Sequence, residues 1–163
     1  MERIWTPWRI KYIMSEKPKT CIICDKAREK SDKENYIVHR GERAFIMLNL
    51  YPYNNGHLLV SPYQHEPSLD LLGPETLNEM MSLVSLGLRL LRRTMNPGGF
   101  NVGVNIGKPA GAGIDDHVHI HVEPRWEGDT NFMPIISETR VIPELLDTTY
   151  ERLMGALKDV IAG

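Results

Sequence analysis

The stretch His117-Val118-His119-Ile120-His121-Val122, followed by Glu123-Pro124-Arg125, decides how the rest of this chain is read. Its residues alternate strictly, and successive side chains of a β-strand point to opposite faces. On a strand, Val118, Ile120 and Val122 share one face and His117, His119 and His121 the other. The apolar trio can sit on a core while the histidines face a cleft. Three of the six histidines in the chain lie in this one stretch, which a chance cluster on a solvated face does not account for. One metal ion held by all three is disfavoured by reach. Alternate residues rise about 6.6 Å per pair, so His117 and His121 lie about 13 Å apart at Cα, against metal–ligand bonds of roughly 2 Å. Nucleophilic catalysis fits the pattern better. A neutral imidazole can attack phosphorus and carry a covalent intermediate while its second ring nitrogen is fixed by a hydrogen bond. Flanking imidazoles can donate to phosphoryl oxygens as charge develops there.

Upstream, Phe100 to Ile106 alternates apolar and polar residues, as a half-buried strand does, and places the amide of Asn105 at its end. The Gly- and Ala-rich loop Gly107–Gly113 follows and can bring backbone N–H groups close to an anion. Before it, Leu77, Met80, Met81, Val84, Leu88, Leu91 and Met95 step by threes and fours. They predict an amphipathic helix over Pro74–Met95, with Pro74 in its first turn and Asn96-Pro97-Gly98-Gly99 as its stop. Tyr36–His39 and Ala44–Leu48 read as a hairpin around Arg40-Gly41-Glu42, and His57–Ser61 as a third strand ended by Pro62. Pro143–Ile161 reads as a terminal helix. Strands, one long helix, then further strands predict an α+β fold with an antiparallel sheet.

The 163 residues fit one domain with extensions: an arm over 1–35, a domain over 36–135 and a C-terminal extension with a helix over 136–163. With 42% apolar and 25% charged residues and a net charge of −2, the composition excludes wholesale disorder and weakens a nucleic-acid role. The longest apolar run, Ala44 to Leu48, is far too short to span a membrane, and residues 1–8 lack the apolar core of a signal peptide, so a cytoplasmic location is expected. The two cysteines, Cys21 and Cys24, form a C-x-x-C. In a reducing compartment such a pair reads as half a metal site or as a redox couple, and no thioredoxin-like βαβ pattern surrounds it.

The run from His117 to Arg125 resembles the H-φ-H-φ-H-φ-φ signature of the histidine triad (HIT) family. Over about residues 36–135 the likeness extends to Asn49–His57, to Ala110-Gly111-Ala112-Gly113-Ile114 and to Pro124-Arg125-Trp126. Glu123 departs from the pattern, which has an apolar residue there. The resemblance implies a HIT-like fold, an antiparallel sheet with helices on one face, and a homodimer. It implies that His119 attacks the α-phosphorus to form a nucleotidyl-histidine and that His121 and His57 contact the phosphoryl group. Asn105 would bind a phosphate oxygen and Asn49 the ribose, with Gly111, Gly113 and His117 completing the substrate contacts. A third histidine at position 121, where another branch has glutamine, points to hydrolases and phosphorylases. Trp5–Arg9, Leu48–Asn54 and Arg125–Phe132 resemble the diadenosine-tetraphosphate phosphorylase group, close to the fragile-histidine-triad branch. The implied activity is cleavage of dinucleoside polyphosphates with phosphate or water as acceptor. Phosphoramidate hydrolysis and a nucleotide-binding signalling module are the alternatives. Some HIT proteins complete a C-x-x-C zinc site with a Pro-x-x-His histidine and the first triad histidine. Here that implies structural Zn²⁺ on Cys21, Cys24, His65 and His117, with no organic cofactor.

Overall fold

The computed structural model describes residues 20–129 and 144–163. The Trp5–Arg9 and Thr130–Phe132 parts of the phosphorylase-like pattern, and the Pro143 start expected for the last helix, lie outside the described residues. Five strands, β1 (Ile37–Arg40), β2 (Ala44–Leu48), β3 (Leu58–Pro62), β4 (Gly99–Val104) and β5 (Ile120–Arg125), form one sheet in the order β1-β2-β3-β5-β4. Every neighbouring pair is antiparallel. Among the described residues three α-helices accompany it: α1 (Ile22–Arg28), α2 (Pro74–Met95) and α3 (Leu146–Ala162). The expected α+β class with an antiparallel sheet is therefore present. None of the described helices is long and apolar enough to cross a membrane.

Strand alternation divides the core in two. Val38, Ala44, Ile46, Leu48, Leu58 and Val60 point to one face with Val118, Ile120 and Val122, and α2 and α3 cover them. The opposite face carries Ile37, Phe45, Met47 and Leu59, and Ile23 of the short α1 packs onto these. The two long helices thus share a face as expected, while α1 takes the other. That second face is also the face of His121, which pairs with Leu59 across β3 and β5.

Helix α2 keeps the predicted limits, with Pro74 in its first turn and Asn96 as a left-handed cap (φ 46°). Its buried stripe runs through Met80, Val84, Gly87 and Leu91. Met81, assigned to that stripe by spacing, is 56% exposed, because it sits one position round the helix from the stripe's centre. At Gly87 an added Cβ would come within 3.2 Å of the Leu58 side chain, so glycine sets the close approach of α2 to β3.

Two strand expectations are corrected. The histidine stretch joins the ladder only at Ile120, and the strand continues to Arg125. Before it, the Val118 N–H donates to the Glu66 carbonyl at 2.7 Å, beyond the end of β3, and the Val118 carbonyl accepts from the Ser61 side-chain hydroxyl in place of a ladder N–H. Strand β4 is half-buried at Phe100 and Val104, which pack on the core, but Val102 is 46% exposed because β4 is the sheet edge.

One side chain ties α2 to the β1–β2 turn. The Glu79 carboxylate accepts from the backbone N–H groups of Glu42 (2.6 Å) and Arg43 (2.7 Å). Bonds to a charged acceptor are the stronger class, so Glu79→Ala should cost about 1–2 kcal/mol and lower Tm by about 2–8 °C. Glu79→Gln, which keeps one acceptor oxygen, should lose less in the same thermal melt.

Candidate active site and metal centre

The histidines expected to work together do converge, His57 and His119 buried and His121 half-buried. His57 and His117 are fully buried and His119 nearly so. Leu59 pairs with His121, and the loop that enters β3 sets His57 beside it, so the His57 Nε2 and His121 Nδ1 lie 2.9 Å apart. The His119 and His121 rings meet edge to face with centroids 4.9 Å apart.

Burial decides their charge. His57 is pushed down to about 3, first by burial and then by the charges of His121 and His119, and His121 down to about 4 by burial and His119. Burial also lowers His119 and His117, against the upward pull of a backbone carbonyl on each. A neutral imidazole has one donor and one acceptor nitrogen, and the partners fix which is which. The Tyr53 N–H donates to the His57 Nδ1 at 3.2 Å. The His57 Nε2 therefore carries the proton and donates to the His121 Nδ1, leaving the His121 Nε2–H as a donor for a ligand. The His119 Nδ1 lies 2.9 Å from the His117 carbonyl, which can only accept. His119 therefore keeps its proton on Nδ1 and has its lone pair on Nε2, the state a nucleophile needs.

The other expected contacts are placed as follows. A groove of about 190 Å³ beside His121 is lined by Tyr53, Asn101, Val102, Gly103, Asn105 and Glu123. Asn105 and the atypical Glu123 thus both reach the histidine site. The Asn49 Nδ2 is 3.3 Å from the His57 Nδ1, and its Oδ1 accepts from the Tyr51 N–H. Gly111 adopts a left-handed φ of 88°, and its N–H donates to the Lys108 carbonyl. Gly111 and Gly113 lie on the exposed loop ahead of the triad, outside that groove's lining.

His117 turns its ring away from this centre. Its Nε2–H donates to the Pro62 carbonyl at 3.0 Å, which leaves the Nδ1 lone pair facing Cys21 Sγ (3.3 Å), Cys24 Sγ (3.4 Å) and His65 Nδ1 (3.2 Å). The four donor atoms all lie within 4.8 Å of one another. A tetrahedral ion with N and S ligands has ligand–ligand edges of roughly 3.3–3.8 Å, so the four fit a closed site. Two imidazole nitrogens 3.2 Å apart are also an arrangement that a cation between them relieves. Asp116 lies 4.0 Å from the His65 Nε2 and suits a carboxylate–histidine orienting pair. Burial and the adjacent Cys21 push the Cys24 thiol up to about 11, a cost that coordination of the thiolate offsets.

A family profile described as "HIT domain" matches residues 30–128. An AP-4-A phosphorylase of Mycobacterium tuberculosis is 38% identical over 157 residues, covering 91% of this chain and 80% of the relative. The chain belongs to the histidine triad family. It is a HIT enzyme, and its fold matches solved HIT structures. A Zn-bound histidine triad family protein from Mycobacterium smegmatis superposes with a TM-score of 0.71 at 27% identity, covering 88% of this chain and 96% of that one. A hypothetical histidine triad nucleotide-binding protein from Sulfolobus tokodaii reaches 0.65 at 29% identity, covering 87% and 90%.

The groups missing from the sequence reading are mostly backbone atoms: the Tyr53 N–H and the carbonyls of Pro62 and His117. No residue type announces them. Their result is measurable. An unfolded chain binds protons on His57 and His121 near pH 6.5, where the folded chain binds none, so acid favours unfolding. The stability they contribute is complete above about pH 7 and is lost as pH falls from about 6.5 through 4 toward 3. The urea midpoint should therefore drop between pH about 7 and about 4.5, and the drop should shrink in His57→Gln.

Proposed function

We propose that this chain transfers a nucleotidyl group from a dinucleoside polyphosphate, with diadenosine tetraphosphate as the test substrate, to inorganic phosphate or water. What supports this most is His119, neutral, buried and with Nδ1–H on the His117 carbonyl, so that its lone pair lies on Nε2. In the first step the His119 Nε2 lone pair forms a bond to the α-phosphorus. The bond from that phosphorus to the bridging oxygen breaks, and the pair leaves with the polyphosphate. A polyphosphate departs as a stabilised anion, so a hydrogen bond from the His121 Nε2–H serves it without proton loss to an imidazolate. In the second step an oxygen of phosphate or water attacks the same phosphorus and the P–N pair returns to His119. Asn105 holds a phosphoryl oxygen, the Gly111–Gly113 turn shapes the loop ahead of the triad, and Asn49 offers its second amide N–H to the ribose. The phosphorylase name of the mycobacterial relative favours phosphate as acceptor.

Zn²⁺ on Cys21, Cys24, His65 and His117 is structural in this reading, because four protein ligands leave no position open for substrate. It would tie α1 to the segment ahead of β5 that carries the nucleophile. Reduced thiols at that site agree with a cytoplasmic enzyme. Homodimerisation uses the exposed β4 edge around Val102.

Three experiments decide. Diadenosine tetraphosphate with phosphate should yield ADP and ATP, and with water alone ATP and AMP. His119→Asn should lower turnover by roughly a thousandfold or more while nucleotide Kd stays within about threefold. Near-full activity of that variant would end the covalent reading, and faster turnover of adenosine 5′-phosphoramidate would transfer the assignment to phosphoramidate hydrolysis. The purified chain should contain about one zinc per molecule, and chelation should remove it and lower Tm. An unchanged metal content and Tm would refute the zinc site.

A further inference from the structure

Asp129 closes the Arg125–Asp129 corner after β5, and its side chain is only 10% exposed. Its carboxylate accepts from the Arg125 Nε and Nη2 at 2.7 Å, from the Trp126 N–H at 3.0 Å and from the Asn54 Nδ2 at 2.9 Å. The first three bonds are local. The fourth crosses to the loop that enters β3. Asn54 Nδ2 also lies 3.3 Å from the Pro124 carbonyl, so both acceptors of this amide belong to the chain that leaves the triad.

Asn54 is the residue around which His57 is held. Its carbonyl accepts from the His57 backbone N–H at 3.3 Å. The N–H of the residue before it, Tyr53, is the shorter of two donors at the His57 Nδ1 (3.2 Å, against 3.3 Å for the Asn49 Nδ2), and the Tyr53 ring packs 5.0 Å from the His57 ring. A shift of Asn54 therefore moves the shorter of the donors that fix the His57 tautomer. With that shorter bond lost, Nδ1 is held by the Asn49 Nδ2 alone at 3.3 Å, the His57 proton can populate Nδ1 in part, and Nε2 then turns a lone pair toward the His121 Nδ1. His121 must respond by taking a proton on Nδ1, which leaves an Nε2 lone pair facing the ligand in place of a donor. An Nε2 lone pair repels a phosphoryl oxygen that an N–H would stabilise.

We infer that Asp129, acting through Asn54, is a positioning residue that holds the His57–His121 pair in the tautomer that donates to the substrate. The role of that donor in turnover rests on the nucleotidyl-transfer reading. The setting of the tautomer does not, and the two are tested apart.

The experiment takes the full chain, its Asp129→Asn variant and an Asn54→Ala variant that leaves the Arg125–Asp129 pair intact. Imidazole ¹⁵N shifts report the tautomers directly at neutral pH. The parent should show acceptor-type Nδ1 and protonated Nε2 on both His57 and His121. In each folded variant this split should collapse toward mixed tautomers. In parallel, kcat on diadenosine tetraphosphate should fall about 10- to 100-fold, with KM moving less than about threefold. If Asp129→Asn fails to fold, Asn54→Ala carries the same test. Unchanged tautomers in a folded variant overturn the inference, whatever the rate does, and so does a change confined to KM. If the parent shows no turnover on any nucleotide, the nucleotidyl-transfer reading falls, and the ¹⁵N result still decides whether Asp129 sets the tautomer.

Discussion

A buried histidine must stay neutral, and a neutral imidazole cannot present the same kind of nitrogen on both sides. Most of the site follows from that constraint. His57, His117, His119 and His121 are all held below their ordinary pKa, chiefly by burial. Each ring then has to spend one nitrogen on a partner, and the partner chosen decides what the other nitrogen can do. His117 and His119 both give their N–H to a backbone carbonyl, through opposite nitrogens, and so direct their lone pairs to different places. One lone pair meets two thiols and a second imidazole. The other is available for attack. His57 is the reverse case: a backbone N–H takes its acceptor nitrogen, and its own N–H donates to His121.

His117 consequently belongs to two structures at once. Its ring completes the cysteine cluster, while its carbonyl orients the nucleophile two residues along. The N-terminal segment that brings Cys21 and Cys24 is therefore more than an arm packed on the sheet. It lies on the same face as the histidines because α1 packs on Ile37, Phe45, Met47 and Leu59, opposite the long helices. On the other side of the molecule, Tyr150 of α3 donates to the Ile37 carbonyl, and Thr149 and Glu144 bond Asn55. The loop before His57 is gripped at adjacent asparagines, Asn54 from the end of β5 and Asn55 from the C-terminal helix.

What the sequence made legible was local and periodic. The limits of α2 could be read because a repeat of threes and fours is bracketed by Pro74 and by the Asn96–Gly99 stop. The two faces of the histidine stretch could be read because alternation needs no knowledge of the partner strand. Met81 and Val102 were misplaced because spacing gives a stripe's period but not its centre, nor which strand is the sheet edge. The start of β5 was misplaced because Val118 pairs with Glu66, a residue outside any strand. The cysteine pair announced half a site, but its partners stand 41 and 93 positions away, and only the family likeness named them. The Asn54–Asp129 bond spans 75 positions between two turn-rich segments, and no periodicity connects them.

Those separations have a kinetic meaning. The contacts that make the site are among the most distant in the chain: 64 positions between His57 and His121, and 96 between Cys21 and His117. Loop closure of that length has to precede any reward from the contact, so the β1–β2 hairpin and α2 can form early and the histidine pair cannot. The same geometry governs the folded protein. β3 and β5 are neighbours in the sheet but are separated in the chain by α2 and β4. A fluctuation that parts them separates His57 from His121 and takes the tautomer with it. A nascent or partly opened chain therefore has no reduced version of this site, and the amide protection of β3 and β5 is also a measure of how much competent enzyme is present.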